Sequence, residues 1–179
     1  MNAQHIDNEQ NTQHWFVART RANQELSIKK QLDGFGVENF VPVRDEVRIY
    51  SGRKRMVHKV QIPNIVFVRS TKEQAYLLIN EKGLRLSFMI DKNTRRTMIV
   101  PERQMHNFMQ VFAADEAGIV QISTEKFAKG DKIQIIEGDF CGVEGELIRI
   151  SGKTHVLIQI HGVVAIMLKI PKKSLRKIK

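Results

Sequence analysis

The sequence has few of the residues that mark secreted, membrane-spanning and disulfide-rich proteins. Its 179 residues include a single cysteine, Cys141, so no disulfide can form within the chain. One unpaired thiol fits a reducing compartment, although a secreted protein without disulfides is compatible with it too. No run approaches the roughly 18 apolar residues that a membrane span needs, and the N-terminus has no apolar signal segment. These absences predict a soluble, cytoplasmic protein that does not enter the membrane.

The sequence also lacks the side-chain groupings that enzymes and metal sites need. No pair of carboxylates, nucleophile with its base, or set of metal ligands stands at a telling spacing, and no glycine loop suits a phosphate. His5 and His14 lie near the N-terminus, but no cysteine or carboxylate completes a ligand set with them. Cys141 has no histidine near it in sequence that would activate the thiol. We therefore expect no catalytic residue, no metal and no cofactor.

The charge that is present is mostly positive. With 29 Lys and Arg against 19 Asp and Glu, the chain carries +10 at neutral pH. Residues 15–112 hold +9 and residues 127–179 hold +5, whereas residues 1–14 and 113–126 each hold −2. This balance favours a polyanionic partner such as nucleic acid, although a solvated basic surface gives the same tally.

Two basic blocks around a short acidic segment are typical of two domains joined by a linker. We predict a disordered leader over 1–13, a first domain over 14–112, a linker over 113–126 and a second domain over 127–179. The leader is polar and has little to bury. The apolar content of 42% is enough for two modest cores.

Strand and helix patterns alternate in the first block. Apolar residues recur at helical spacing in three segments, at about 23–35, 71–81 and 101–112. Thr71 is placed to cap the second of these helices. Short apolar runs predict strands over Trp15–Ala18, Val37–Val43, Ile65–Val68, Leu86–Ile90 and Thr97–Val100. This alternation implies an α+β sandwich.

A basic hairpin interrupts this alternation. The extended runs Val47–Tyr50 and Met56–Gln61 flank a tip, residues 51–55, whose glycine suits a turn. The bases of this region are Arg44, Arg48, Arg53, Lys54, Arg55 and Lys59, against only Asp45 and Glu46. Such a cluster suits phosphate contacts with salt-dependent affinity, and a solvated hairpin tip explains it equally well.

The second block has a different period. Short strands broken at glycines, with no helical pattern between them, predict a small β-barrel of about fifty residues. The expected strands are 132–136, 144–150, 155–160 and 163–170. The block ends in a basic tail, residues 172–179, with five bases in eight residues. An RNA- or ribosome-binding arm and a solubilising end both explain this tail.

The most specific pattern lies at the start of the second block. It reads Lys129-Gly130-Asp131-Lys132-Ile133-Gln134-Ile135, and continues from Gly138 to Leu147 with further glycines at 142 and 145. The glycines permit a tight reversal of the chain. This pattern resembles the KOW motif of NusG-type transcription factors and some ribosomal proteins. The resemblance implies an SH3-like β-barrel whose loop at Phe140, Gly142 and Gly145 contacts a partner, with the Phe140 ring exposed.

Five segments of the first block resemble the N-terminal (NGN) domain of NusG, in the family's order. They are Trp15–Arg21 with Gln24-Glu25, Phe40-Val41-Pro42, Gly52-Arg53-Lys54-Arg55, Ile62–Val68 and Met98-Ile99-Val100-Pro101. With the KOW segment, the resemblance covers about residues 14–178. It implies an α/β sandwich of the NGN type followed by a KOW barrel.

Two departures from the family pattern indicate a subgroup. Asn64 stands where NusG usually has glycine, and Ile65 stands where it usually has tyrosine. Asparagine at the first of these positions also occurs in specialised paralogues that antiterminate long operons, often for surface polysaccharides. The chain therefore resembles an operon-dedicated paralogue more than the housekeeping factor.

The resemblance implies a transcription elongation and antitermination factor. Its NGN domain would bind the clamp helices of RNA polymerase and suppress pausing or termination. The residues implied in this contact are Phe16, Pro63, Asn64, Ile65 and Phe67. A position in the hydrophobic core explains Phe16 and Phe67 equally well. Ile65 has no aromatic ring, so it offers a flatter contact surface than the tyrosine that the family usually has there.

The resemblance also implies nucleic-acid contacts. Arg19 and Arg21 match a region where specialised paralogues touch the exposed non-template DNA strand. Non-template DNA and nascent RNA are both candidates for the hairpin bases, which are Arg53, Lys54, Arg55 and Lys59. Trp15 fits a core position better than a base-stacking platform.

A second interpretation is a KOW-type protein that binds RNA or the ribosome. It predicts that residues 127–179 carry most of the affinity for RNA, whereas the larger share of the charge lies in the first block. In the leading interpretation the partner of the KOW barrel is the ribosome or a termination factor. In both interpretations of the function, we expect the protein to be a monomer.

Overall fold

The computed structural model describes residues 12–115, 120–123, 130–150, 152–160 and 163–178. Most of the expected leader and half of the expected linker lie outside the described residues. The chain divides into two compact units between Pro101 and Glu102. The division falls ahead of the third helix, whereas the predicted first domain includes that helix and ends at 112. No helix in the described ranges is both long enough and apolar enough to span a bilayer.

The first unit mixes helices and short strands, as the sequence predicts. Its elements are β1 (His14–Arg19), α1 (Glu25–Gly34), β2 (Asn39–Phe40), β3 (Val43–Tyr50), β4 (Arg53–Val60), β5 (Ile65–Ser70), α2 (Lys72–Asn80), β6 (Ser87–Phe88) and β7 (Ile99–Val100). The predicted cap of α2 is confirmed, because the Thr71 hydroxyl accepts a hydrogen bond from the Gln74 amide at 3.1 Å.

The central sheet is antiparallel, in the order β2-β5-β1-β6, and β7 also pairs with β1. In its register Phe16 lies opposite Val68, and Val17 lies opposite Phe67. Since successive side chains of a strand point to opposite faces, Phe16 and Phe67 lie on different faces of the sheet. One face forms a core with α1 and α2, built from Ala18, Ile28, Leu32, Val37, Val41, Val66, Val68, Leu78, Leu84 and Leu86.

The strand predicted over Val37–Val43 is wrong in its extent. The structure has only the two residues of β2 there, and a new strand, β3, begins at Val43. The buried Pro42 separates them, because proline has no amide hydrogen and cannot continue the ladder. Its carbonyl accepts a hydrogen bond from the Gln61 amide at 2.8 Å, which joins the two ends of the hairpin.

The predicted hairpin is confirmed, but its tip is shorter than expected. Strands β3 and β4 form a two-stranded sheet of their own, and residues 53–55 belong to β4 rather than to the turn. The turn consists of Ser51 and Gly52, which both have positive φ, at 49° and 78°. A two-residue turn with positive φ at both positions has a twist that matches the right-handed twist of the two strands it joins. At its base the pair Val43 and Val60 packs against the core of the first unit.

The second unit begins with one helix and continues as a sheet. Its elements are α3 (Glu102–Ala114), β8 (Gln121–Ser123), β9 (Asp131–Ile135), β10 (Glu144–Ile150), β11 (Lys153–Ile160), β12 (Val164–Leu168), a 3-10 turn (Lys172–Ser174) and β13 (Leu175–Lys177). The six strands form an antiparallel sheet in the order β13-β9-β10-β11-β12-β8. This sheet is consistent with the predicted small KOW domain, so the α+β fold class is confirmed.

Two strands of this sheet lie where none was predicted. β8 falls within the expected linker and pairs with β12. β13 falls within the basic tail and pairs with β9, so neither an arm nor a free solubilising end describes this part of the tail. Lys177 forms an ion pair with Asp131 at 2.9 Å across the β13–β9 pair. Both strands are only three residues long, which is too short for a periodic pattern to be read from sequence.

Candidate functional site

Three arginines line an open cleft of about 550 Å³ at the end of β1. They are Arg19, Arg21 and Arg85, and the remaining lining residues are Thr20, Leu86 and Ser87. All three arginines are exposed, and the lining contains no carboxylate. A cleft whose charged lining residues are all cations attracts anions, and a guanidinium binds phosphate with two parallel hydrogen bonds.

The pairing of β1 with β6 brings these arginines together. Arg19 lies opposite Ser87 in the antiparallel register, so the chain just before β6 runs beside the chain just after β1. The Thr20 hydroxyl donates a hydrogen bond to the Arg85 carbonyl at 3.2 Å and fixes this approach. Arg19 and Arg21 were predicted from sequence. Arg85 was not, because it lies 64 residues beyond Arg21 and no local pattern connects the two.

The predicted hairpin bases lie outside this cleft and are divided between the two faces of the hairpin. Residues that face each other across an antiparallel pair lie on the same face, and neighbours along a strand lie on opposite faces. In the observed register Tyr50 pairs with Arg53, Arg48 with Arg55, and Arg44 with Lys59. We call the face that carries these pairs, together with Glu46 and Val57, the basic face. Lys54 lies on the other face, opposite Ile49.

Glu46 partly neutralises the basic face near its base. Its carboxylate binds the Lys59 ammonium at 2.9 Å and the Arg48 guanidinium at 3.5 Å. The hydrogen bond from Lys59 lowers the pKa of Glu46 below its ordinary value, and the charges of Lys59 and Arg48 add to this. The bases nearer the turn, Arg53 and Arg55, are exposed and are therefore better placed for an external anion.

The turn at Pro63 and Asn64 joins the hairpin to β5 and lies beside the arginine cleft. Asn64 has a φ of +65°, a left-handed conformation that asparagine adopts more readily than most residues. This explains why asparagine can replace the glycine that the family usually has here. The Asn64 carbonyl accepts a hydrogen bond from the Thr20 amide at 3.0 Å. Because Thr20 also holds Arg85, one residue connects this turn to the cleft.

Of the residues predicted to bind polymerase, only Pro63 and Asn64 are exposed. Phe16 and Phe67 are 1% and 0% exposed, and Ile65 is 8% exposed. Phe16 lies on the sheet face that packs with α1 and α2, whereas Ile65 and Phe67 lie on the opposite face. The structure therefore does not gather the five residues into one exposed patch. The polymerase contact itself stays a prediction.

The KOW loop differs from its sequence-based description in one respect. The Phe140 ring, expected to be exposed, is 5% exposed, so this expectation is wrong. Gly142 has a φ of +91°, which suits the turn. A Cβ on Gly145 would lie 2.6 Å from the Leu157 carbonyl oxygen and 2.8 Å from a methyl group of Val156. Gly142 is therefore explained by its backbone conformation and Gly145 by the close approach of β10 to β11, and the contact of the loop with a partner stays a prediction.

Helix α3 holds this loop within the second unit. The Gln110 side chain donates to the Cys141 carbonyl at 3.0 Å, and the Asn107 side chain donates to the Glu144 carbonyl at 3.2 Å. Arg103 forms an ion pair with the Glu144 carboxylate. Among the described residues no group of three His, Cys, Asp or Glu side chains is arranged to hold a metal ion.

Comparisons with known proteins match the first part of the chain to a family. The family model described as "NusG: Transcription termination factor nusG" matches residues 13–109, more than half of the chain. A structure titled "Domain interaction in Thermotoga maritima NusG" is similar at 19% identity, over 94% of this chain and 98% of that one, with a TM-score of 0.48. A chain of the MjSpt4:Spt5 complex is similar at 17% identity over 92% and 96%, with a TM-score of 0.25. No curated protein sequence matches.

Proposed function

Because the chain belongs to the NusG family, we propose that it is a transcription elongation factor that binds RNA polymerase and suppresses pausing or termination on particular operons. It acts in the cytoplasm, without catalysing a reaction of its own. The family match supports the general role in elongation. The arginine cleft beside the Asn64 turn supports the finer role, because a cluster of cations next to the segment implied in the polymerase contact suits a nucleic acid that passes close to the enzyme.

In this proposal the turn at Pro63 and Asn64 contacts the clamp helices of RNA polymerase. Ile65 and Phe67, which are buried, support the turn from within the sheet, and Phe16 belongs to the core. The left-handed Asn64 is held from both sides, by the Glu25 carboxylate at its amide and by the Thr20 amide at its carbonyl. A turn fixed in this way loses little conformational freedom when it binds.

The arginine cleft then binds the exposed non-template DNA strand beside the polymerase. Three guanidinium groups in one cleft suit two or three consecutive phosphates of a flexible single strand, and the open shape leaves room for a base. Arg85 joins Arg19 and Arg21 in this role. The arginines can bind the phosphates of nascent RNA in the same way, and crosslinking from the cleft distinguishes the transcript from the non-template DNA strand.

The KOW unit recruits a further partner, the ribosome or a termination factor. A second candidate function, in which the second unit binds RNA by itself, draws support from the exposed Lys172 and Lys173 beside β13. Of the bases of β13, however, Lys177 is paired with Asp131, and Arg176 donates to the Gln134 side chain at 2.5 Å. These pairs reduce the charge and the donors available to RNA, so we favour the polymerase-centred function.

Elongation in vitro tests the proposal. Purified protein is added to RNA polymerase transcribing its own operon leader and, in parallel, an unrelated template, and pause lifetimes are measured. We expect shorter pauses on the leader and little change on the unrelated template. Equal effects on both templates would indicate a general elongation factor, and no effect on either would refute the proposed function.

A pair of variants assigns the effect to the cleft. Arg85→Gln should reduce the effect on the leader, whereas Arg96→Gln, an exposed arginine outside the cleft, should not. Crosslinking from a photoreactive residue at position 85 to the non-template strand or to the transcript then identifies the nucleic acid. Crosslinks to RNA alone would show that the cleft binds the transcript instead of DNA.

A further inference from the structure

The hairpin has a second face, on which Lys54 alone of the four predicted nucleic-acid-binding hairpin bases lies. We call it the apolar face, and it carries Val47, Ile49 and Met56, which are 58%, 68% and 62% exposed. These three side chains are contiguous, because Val47 lies opposite Met56 and Ile49 follows two residues along the same strand. Scattered exposed apolar residues are ordinary, but a contiguous apolar patch on an exposed element marks an interaction site.

The charge of the hairpin is divided between its two faces. The basic face holds five bases and only one acid, Glu46. On the apolar face the charged side chains are Lys54, Asp45 and His58, and Asp45 and His58 bind each other at 2.5 Å. A polyanion is therefore attracted to the basic face, whereas the nearly neutral apolar face suits an apolar protein surface.

The form of the hairpin makes simultaneous use of both faces possible. β3 and β4 form a ribbon whose base packs on the core through Val43 and Val60, while Val47, Ile49 and Met56 beyond the base are exposed. The two faces of a ribbon point in opposite directions, so a single body cannot cover both. A hairpin of this kind fits between two bodies, one a nucleic acid and the other a protein.

We propose that the apolar face docks on an apolar patch of RNA polymerase while the basic face is turned to nucleic acid. This inference rests on the proposed function, which supplies the polymerase. Three side chains cover far less than the roughly 1,000 Å² that a stable dimer needs, so the patch is too small to hold a second copy of the chain by itself. It adds to the affinity only where the partner already contacts the protein elsewhere, as polymerase does at the turn of Pro63 and Asn64.

Two adjacent cross-strand pairs provide matched variants. The double substitution Val47→Ser and Met56→Gln removes the centre of the apolar face. Arg48→Gln with Arg55→Gln removes the neighbouring pair on the basic face. Each variant is measured for its Kd with core RNA polymerase free of nucleic acid, and for its Kd with a forked DNA in the absence of polymerase.

We expect the apolar double variant to bind core polymerase about tenfold or more weakly, because two side chains lose their buried contacts, and to bind DNA like the wild type. The basic double variant should show the reverse. Thermal unfolding and circular dichroism confirm that both variants are folded. Ile49→Ser, which alters one exposed side chain near the turn, gives a milder test should the double variant be unstable.

Three results would overturn the inference. They are equal polymerase affinity of the wild type and the apolar variant, a loss of DNA affinity in the apolar variant, or a dimer in light scattering that this variant abolishes. The second would mean that the apolar side chains insert between bases, and the third that a second copy covers them. If the wild type itself fails to bind polymerase, the proposed function fails. If the wild type and its apolar variant bind polymerase equally well, only the role of the apolar face fails.

Discussion

The backbone amide of Asn64 donates a hydrogen bond of 2.7 Å to the carboxylate of Glu25, which is only 3% exposed. Glu25 is the first residue of α1, and Asn64 immediately precedes β5. The contact therefore ties the start of a helix to the turn that leads into the central sheet. Because a buried carboxylate left without a donor keeps its full desolvation cost, this hydrogen bond stabilises Glu25 in its buried position and holds the turn in place.

Removing the acceptor should destabilise the first unit. We expect Glu25→Ala to lower its free energy of unfolding by about 1–3 kcal/mol, and Glu25→Gln to lower it less, because the amide oxygen still accepts. Urea unfolding followed by the fluorescence of Trp15, the single tryptophan and a buried one, measures this. Glu73→Ala, an exposed change in the first turn of α2, is the control. Equal stability of Glu25→Ala and this control would contradict the prediction.

The left-handed conformation of Asn64 makes this position selective. Asn64→Gly should change the free energy of unfolding by less than about 1 kcal/mol, since glycine adopts positive φ without strain. Asn64→Val should cost about 1–2 kcal/mol, because a β-branched side chain is strained there. The same fluorescence measurement compares the two variants, and a valine variant as stable as the glycine variant would show that the turn relaxes.

Gly145 should tolerate no side chain. A methyl group there would lie 2.6 Å from the Leu157 carbonyl oxygen, so Gly145→Ala must push β10 away from β11. We expect the second unit to lose about 2 kcal/mol or more. Amide hydrogen exchange in β10 and β11 measures this loss. Gly34→Ala, at the end of α1 where nothing lies within 4 Å of an added Cβ, should be neutral or slightly stabilising.

Asp91 should make the first unit sensitive to acid. The amides of Thr94 and Asn93 donate to its carboxylate, both at 2.8 Å, and lower its pKa below the ordinary value of 3.8. Because its pKa is lowered, the Asp91 carboxyl binds a proton less tightly in the folded state than in the unfolded state. The ionised carboxylate therefore stabilises the fold above about pH 4, and this contribution is lost as the pH falls through the lowered pKa. An NMR titration of the Asp91 carboxyl should give a pKa below 3.8. A value at or above 3.8 would contradict the observed turn.

The arginine cleft should give a salt-dependent affinity for single-stranded DNA. If each of its arginines meets one phosphate, Arg85→Gln reduces the slope of log K against log salt by about 0.7. Fluorescence anisotropy with a labelled oligonucleotide at several salt concentrations measures the slope. Arg96→Gln should leave it unchanged, and equal slopes for both variants would show that Arg85 makes no phosphate contact.

Local features of the sequence determined most of the elements and the family. The periodicity of apolar residues gave the helices to within a few residues, because a helix is stabilised by contacts three and four positions apart. The KOW glycines and the Thr71 cap are likewise short-range features. The membership in the NusG family follows from motifs of this kind, since each occupies a few consecutive residues.

Only the tertiary structure decided which residues share a surface. The register of β1 against β5 separated Phe16 from Phe67, and the pairing of β1 with β6 brought Arg85 to Arg19. The register of β3 against β4 divided the hairpin into a basic and an apolar face. A shift of one residue in any of these pairings reverses the faces of a whole strand, and the register is set by packing against distant parts of the chain. The sequence alone determined most of the elements and the family, but that distant packing determined the cleft and the two faces of the hairpin.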